Sequence, residues 1–324
     1  MKIPRSTQEM IPVKHILNDG TFVLDSGEYS KMFAFTDINY TELRDEEKMR
    51  RLVDYSALLN SIDKGIYAKI SIFFRPIRQE QFERDVLIPM NPEDELDDYR
   101  ENMNTVLREQ VRGTLGMTKQ AYLTITAGRR NDEDAAAFFA RVEGNLISSF
   151  QALGVELRAV PLSERLRLLH DIYRPGLEET FRYDAHAEKK LGMNWKDSIA
   201  PLSAEALNSC THLKIGGRYC KTLFLNAYPI YLNDRIVSDI ASIGKPMIFT
   251  IDFLPIPSAE AMAEAESRSM AIDTKIVNYT LHQQRNGNYS GSVPYKLMQR
   301  AAGVQEVMEA IQAVSYTHLT LPTT

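Results

Sequence analysis

Along the first half of the chain the apolar positions change period several times, and each change marks an element. Residues 11–17, 21–24 and 29–35 read as a meander of short strands, parted by Asn18-Asp19-Gly20 and Asp25-Ser26-Gly27. The glycines supply the positive φ that tight hairpin turns require. Over residues 45–63, Met49, Leu52, Val53, Leu58 and Leu59 recur near the helical period and predict a helix broken by Gly65. Ala68, Ile70, Ile72 and Phe74 alternate with more polar neighbours and predict a strand with one buried face. Asn91-Pro92-Glu93-Asp94-Glu95 has the form of a helix start, with a capping Asn, Pro in the first turn and carboxylates at the positive end of the dipole. This helix is expected to reach about residue 114, with Leu96, Tyr99, Met103, Val106 and Leu107 inward. A strand through Ala121, Leu123 and Ile125 follows. Next comes a helix capped by Asn131 or Asp132, which carries Phe138, Phe139, Val142, Leu146, Phe150 and Leu153 and ends at a left-handed Gly154. Residues 155–160 predict a strand, and 163–172 a short helix stopped before Pro175.

Residues 173–201 are less regular, and their aromatic content, including the single tryptophan Trp195, is too high for disorder. The second half restarts with apolar runs on either side of Gly216-Gly217, a hairpin signal that pairs a strand from His212 with one reaching Tyr228. A helix capped by Asn233 is expected to turn Ile236, Val237, Ile240 and Ile243 inward. Residues 247–254 read as a strand closed by Pro255, Ser258 opens a long Ala- and Glu-rich helix to about Gln284, and another helix starts near Tyr295. Hairpins interleaved with helices predict the α+β class rather than a doubly wound parallel sheet. The expected layout is two α/β sandwich-like modules with mostly antiparallel sheets. Residues 1–172 form the first, 173–210 connect, 211–313 form the second, and 314–324 stand apart.

Composition narrows the function classes. Of 324 residues, 44% are apolar and 25% charged, as in ordinary soluble globular proteins. The formal charge of −5 argues against a dedicated nucleic-acid or anionic-membrane surface. Two cysteines, Cys210 and Cys220, are too few for a disulfide framework and suit a reducing compartment. The N-terminal Met1-Lys2-Ile3-Pro4-Arg5-Ser6 lacks the apolar core of a signal peptide. No stretch approaches the roughly 18 apolar residues that span a bilayer. The expected location is cytoplasmic, and any work at a membrane would depend on protein partners.

No residue is assigned a catalytic, cofactor-binding or metal-binding role. Gly216-Gly217-Arg218-Tyr219-Cys220-Lys221-Thr222 is the nearest thing to a phosphate loop, but its glycines fall in a hairpin turn and Lys221-Thr222 in a strand. Met247–Asp252 imitates an apolar strand ending in a Mg²⁺-binding acid, yet no phosphate loop precedes it. Cys210, His212 and Cys220 match no standard zinc spacing. His170-Asp171 and Asp184-Ala185-His186 suggest acid–base chemistry but lack a nucleophile at a suggestive spacing. The acids Glu93, Asp94, Glu95, Asp97 and Asp98 are accounted for by the helix dipole, and Arg129-Arg130 by a solvated loop. Ala259, Ala261, Ala263, Ala265 and Ala271 permit close helix packing, within the domain or with another subunit.

Three stretches carry a family resemblance: Ile11–Leu17 through Asp25-Ser26-Gly27-Glu28-Tyr29 to Asp37–Tyr40; Leu213-Lys214-Ile215-Gly216-Gly217-Arg218-Tyr219-Cys220 on to Tyr228-Pro229; and Phe249-Thr250-Ile251-Asp252-Phe253-Leu254-Pro255 with the helix after it. In this pattern the chain resembles the N-terminal region of the conjugal transfer ATPases of type IV secretion systems, the VirB/TrbE-type large ATPases. The resemblance implies a docking and oligomerisation region that contacts inner-membrane secretion-channel proteins and neighbouring ATPase subunits. It also implies a separate RecA-like motor domain that binds ATP and Mg²⁺ and powers DNA transfer and pilus assembly. No motif of that motor lies in this sequence, so this chain is expected to be inactive by itself. Two other classes compete. One is a self-contained enzyme with an unrecognised site. The other is a single-stranded nucleic-acid-binding module, which would need Tyr67, Phe73 or Tyr122 bare on a basic sheet face.

The last residues, Ser315-Tyr316-Thr317-His318-Leu319-Thr320-Leu321-Pro322-Thr323-Thr324, resemble a translated sequencing adapter. Residues 314–324 are therefore expected to be non-native. Sequencing an independent clone through codon 313 should reveal a Gly-Lys-Ser/Thr loop soon afterwards, and a stop codon directly after Thr324 would contradict this.

Overall fold

The computed structural model describes residues 6–37, 43–60, 62, 65–77, 79–91, 93–111, 117–185, 190, 192, 194–206, 211–225, 239–240, 242–286 and 292–319. Ten strands and seven α-helices are described, and the class is α+β with antiparallel sheets. The elements run β1 (Val13–Ile16), β2 (Phe22–Leu24), β3 (Glu28–Phe35), α1 (Asp45–Asn60), β4 (Ile66–Pro76), α2 (Gln79–Asp85) and α3 (Asp97–Val111). Then come β5 (Met117–Gly128), α4 (Asp132–Ala152), β6 (Leu157–Ala159), α5 (Leu162–Tyr173), β7 (Ala204–Ala206), β8 (Leu213–Ile215), β9 (Arg218–Cys220), β10 (Met247–Phe253), α6 (Ser258–Arg285) and α7 (Tyr295–Leu319). The helix expected after Asn233 falls mostly outside the described residues, as do Cys210, His186 and Tyr228-Pro229. Chain contacts divide the molecule into Met1–Phe253 and Leu254–Thr324.

The first unit is built on a seven-stranded antiparallel sheet in the order β1-β2-β3-β5-β4-β10, with β6 also pairing to β3. The meander and the β5 strand appear as expected from their alternation. β10 is different. The sequence reading places it in a second module, yet it pairs along its whole length with β4, from Met247↔Phe74 to Phe253↔Ala68. Such a distant pairing leaves no local trace. β4 also departs from expectation, because Phe73 and Ser71 on its other face are buried as well. A second sheet, β7-β8-β9, is turned by Gly216 and Gly217, whose φ values of 54° and 86° fit the expected hairpin. β9 ends at Cys220, so Lys221 and Thr222 lie beyond the strand rather than in it.

Two layers cover the large sheet. On one face Tyr29, Phe33, Ala68, Ile70, Leu123 and Ile125 form a core with Phe138, Phe139, Leu146 and Phe150 of α4 and with Leu58 of α1. The α4 start is fixed as expected: Asn131 accepts a hydrogen bond from Asp134 N at 2.8 Å, and Gly154 follows the helix at φ 73°. Lys31, nearly buried in mid-strand, lies between Asp19 at 3.4 Å and Glu143 of α4 at 3.3 Å. It ties helix, turn and strand together, and two carboxylates compensate one buried ammonium.

The opposite face is covered by α5 and by the irregular stretch after it. Phe73, Tyr122, Val160 and Leu168 form one cluster there. Ile11, Val13, Phe22, Leu166, Trp195 and Ile199 form another, so Trp195 and Ile199 of the stretch after α5 pack into the first unit. Arg165 of α5 is fully enclosed. It donates to Gly20 O at 2.9 Å, to Ser30 O at 2.6 Å and to Ser30 Oγ at 2.8 Å, and its guanidinium lies 3.8 Å from the centre of the Phe22 ring. Burial pushes its pKa down to about 9, with Asp19 opposing, so it stays charged at neutral pH. A carboxylate would be the usual partner. Here two carbonyls, a hydroxyl and an aromatic face take that role.

The Asp19-Gly20 turn abuts the start of α5. A Cβ on Gly20 would come within 2.7 Å of Val160 O, and Gly20 also has φ of 83°. Gly27 has a similar φ of 87° but open space around it. Gly27→Ala should therefore cost only the left-handed conformation, about 1 kcal/mol. Gly20→Ala should cost at least about twice that, because backbone has to move. Chemical denaturation of the two variants checks the difference, and equal losses would contradict the close approach.

In the second unit α6 and α7 pack against each other. Both start where the sequence places them, at Ser258 and Tyr295. Among the described residues no helix is long and apolar enough to cross a membrane.

Candidate functional site

Between β4 and β5 the chain leaves the sheet, and the described residues there, 77, 79–91 and 93–111, carry α2 and α3. The two strands pair to their very ends, Pro76 opposite Met117, so this excursion is a helical arm rooted in a hairpin. The arm is organised by polar contacts. Asn104 is buried, accepts from Ile88 N at 2.8 Å and donates to Ile88 O at 2.9 Å, which pins the 86–90 segment to α3. Arg100 donates to Asp94 and, at 2.7 Å, to Asp97. The Arg100 guanidinium holds the Asp94 carboxyl at about 2, helped by the Leu96 amide, and Asp97 is also lowered, first by the Asn91 amide and then by Arg100.

These bonds also explain why α3 starts at Asp97 rather than at residues 91–95. Asn91 Oδ1 accepts from Glu93 N at 3.2 Å, and Asp94 Oδ1 accepts from Leu96 N at 3.0 Å. Short polar side chains that bond the backbone two residues on hold it in turns and compete with the helix ladder. The short helix α2 had no signal in the pattern of the sequence.

The apolar stripe of α3 corrects the sequence reading most sharply. Leu96, Tyr99, Met103 and Val106 were expected inward. They are instead exposed, at 52%, 72%, 53% and 47% of their surface, and only Leu107 of that set is half-buried. Their spacing of three, four and three residues keeps all four on one face. Val86, Ile88 and Met90 in the same arm are exposed too. Met49, Leu52 and Val53 repeat the situation on α1, whose far end buries Leu58. Burying a side chain of this kind is worth roughly 1.5–3 kcal/mol, so two unburied stripes leave a large association energy unspent.

A second constellation is internal. Arg75 donates to Asp171 at 2.8 Å and to Gln120 at 2.6 Å, and Tyr122 donates to Gln120 at 2.9 Å. His170, fully buried beside Asp171, has its Nδ1 3.5 Å from the carboxylate, its Nε2 3.4 Å from Thr180 Oγ1, and its ring 5.3 Å from that of Phe181. The His170-Asp171 pair singled out in the sequence thus joins β4 and β5 to α5. The Thr180 hydroxyl near Nε2 donates to Leu177 O at 2.7 Å, and His170 is sealed from solvent, so the cluster reads as a strut between sheet and helix.

The other sequence candidates find plain partners. Asp252 pairs with Lys69 across β10 and β4 at 3.2 Å. Arg129 lies 3.5 Å from the centre of the Phe138 ring, and the Arg130 amide donates to Asp134. The His212 ring packs 5.7 Å from that of Tyr219. Ala265 is buried. Phe73 and Tyr122 are buried against each other, their ring centres 5.3 Å apart, and only Tyr67 of the three named aromatics is exposed. Two half-open recesses of about 180 and 210 Å³ lie against the sheet. The larger is walled by Ile11, Val13, Phe22, Leu168, Tyr173 and Arg165. Both fall below the roughly 300 Å³ at which small-molecule sites begin. No family model and no curated protein matches the chain.

Burial pushes the His170 imidazole down from its ordinary 6.5, with Asp171 opposing. The unfolded chain therefore binds this proton more readily than the folded one, and stability falls as pH drops below about 6.5. The thermal midpoint should decline from pH 7 to 5.5 in the native chain and decline less in His170→Gln. An identical slope in the variant would contradict the assignment.

Proposed function

We propose that this chain is the N-terminal docking and assembly region of a conjugative type IV secretion ATPase. The bare apolar stripe of α3, mounted on an arm that leaves the sheet, carries the reading. A helix with such a stripe is normally buried in its own domain, and one left uncovered marks a surface for a partner. The three stretches that resemble the family supply the rest of the reading. In this proposal the partners are inner-membrane secretion-channel proteins and neighbouring subunits, and the chain works at the cytoplasmic face of that membrane through them. ATP and Mg²⁺ belong to the motor domain that the family resemblance implies.

The alternatives fare less well. Stacking on single strands needs bare aromatics on a basic face. Phe73 and Tyr122 are buried, and Lys69, two residues from the exposed Tyr67, is paired with Asp252. An enzyme needs convergent titratable groups in a pocket, whereas the His170 cluster is packed inside the fold.

Two measurements test the proposal. Titration with ATP and Mg²⁺ should show no saturable binding to this chain, and saturation would refute it. Co-purification with channel proteins encoded in the same transfer locus should succeed for the native chain and drop at least ten-fold for Tyr99→Glu/Met103→Glu at an unchanged thermal midpoint. Equal retention of the variant, or no retention of the native chain, would contradict it.

A further inference from the structure

The charge around the α3 stripe names the kind of partner it fits. Between residues 93 and 109 stand seven acids, Glu93, Asp94, Glu95, Asp97, Asp98, Glu101 and Glu109, against two arginines, Arg100 and Arg108. That stretch alone carries −5, the formal charge of the whole chain. Both arginines are already engaged inside the arm, Arg100 by Asp94 and Asp97, and Arg108 by Glu101 at 2.7 Å. Glu95, Asp98 and Glu109 are exposed. Asp98 and Glu109, eleven residues and so about three helical turns apart, fall in one row beside Tyr99 and Val106, and Glu95 stands just ahead of α3.

Resting on the docking role proposed above, we infer that the α3 face receives a basic amphipathic helix of a partner protein. Its apolar side chains would lie on Leu96, Tyr99, Met103 and Val106, and its Lys or Arg residues would meet Glu95, Asp98 and Glu109. A second copy of this chain is the poorer occupant. Two like faces would bring their uncompensated carboxylates together, and like charge across an interface costs affinity. A basic helix gains on both counts: it buries the stripe, and its charges steer the encounter.

The test uses two synthetic helical peptides with the same leucine face, one rimmed with Lys and one with Glu, titrated against the full chain by fluorescence anisotropy. The Lys-rimmed peptide should bind at least ten-fold more tightly than the Glu-rimmed one. The preference should shrink with added salt and reverse in Glu95→Lys/Asp98→Lys/Glu109→Lys. Tyr99→Glu should remove binding of the Lys-rimmed peptide. Binding that survives Tyr99→Glu would overturn the inference as mere charge attraction. Equal binding of both peptides would overturn it while leaving the docking role intact. A dimer of the chain in light scattering that Tyr99→Glu dissolves would assign the face to a second copy and overturn it too. If neither peptide binds and the channel proteins are not retained either, the docking role itself has failed.

Discussion

The pairing of β4 with β5 is the constraint on which the rest of this molecule depends. It runs unbroken from Ile66↔Ala127 to Pro76↔Met117 through the middle of the sheet. Side chains alternate across a strand, so this register decides which residues face which layer. It sets Ala68, Ile70, Leu123 and Ile125 toward α4, and Phe73 and Tyr122 toward α5. A slip of one residue would exchange the two sets. The same pairing brings Pro76 and Met117 together and so closes the base of the arm. The core and the exposed stripe of α3 thus share one foundation.

The face away from α4 shows how a small number of polar contacts orient an apolar layer. Arg165 is held by Gly20, Ser30 and the Phe22 ring, so α5 cannot slide without stranding two carbonyls and a buried charge. Lys31 does a related job on the other face, between Asp19 and Glu143. Both cations meet the 19–20 turn, one through a side chain and one through a backbone oxygen. That turn therefore joins the two layers across the sheet edge.

Much of this was legible in the sequence where the cause is local. Asn131 and Gly154 bound α4 as their chemistry dictates, and the Gly-bearing turns of the meander fall where positive φ was called for. What was not legible depends on distance. The junction of β10 with β4 joins residues far apart in the chain, and the apolar alternation of β10 does not say which sheet it will join. The burial of Arg165 and Lys31 likewise has no local signal, since the groups that enclose them come from distant parts of the chain. The α3 stripe is the instructive case. Its period was right and its direction was not, because periodicity reports that a face wants cover and does not say which molecule supplies it. For the candidate site, the sequence offered His170, Asp171 and the acidic cluster; the first two brace sheet and helix, and the third lies beside the exposed stripe of α3.

On the proposed reading the arm serves recognition and the hairpin beneath it serves the fold. Replacing residues 77–116 with Asn-Gly, the dipeptide suited to a two-residue hairpin turn, separates the two most directly. Thermal unfolding of this variant should remain a single cooperative transition, with its midpoint within about 2 °C of the native chain, roughly 1 kcal/mol at this size. Retention of the channel partners should be lost. Collapse of the transition would place the arm in the core, and undiminished retention would place the docking surface elsewhere; either result contradicts the account.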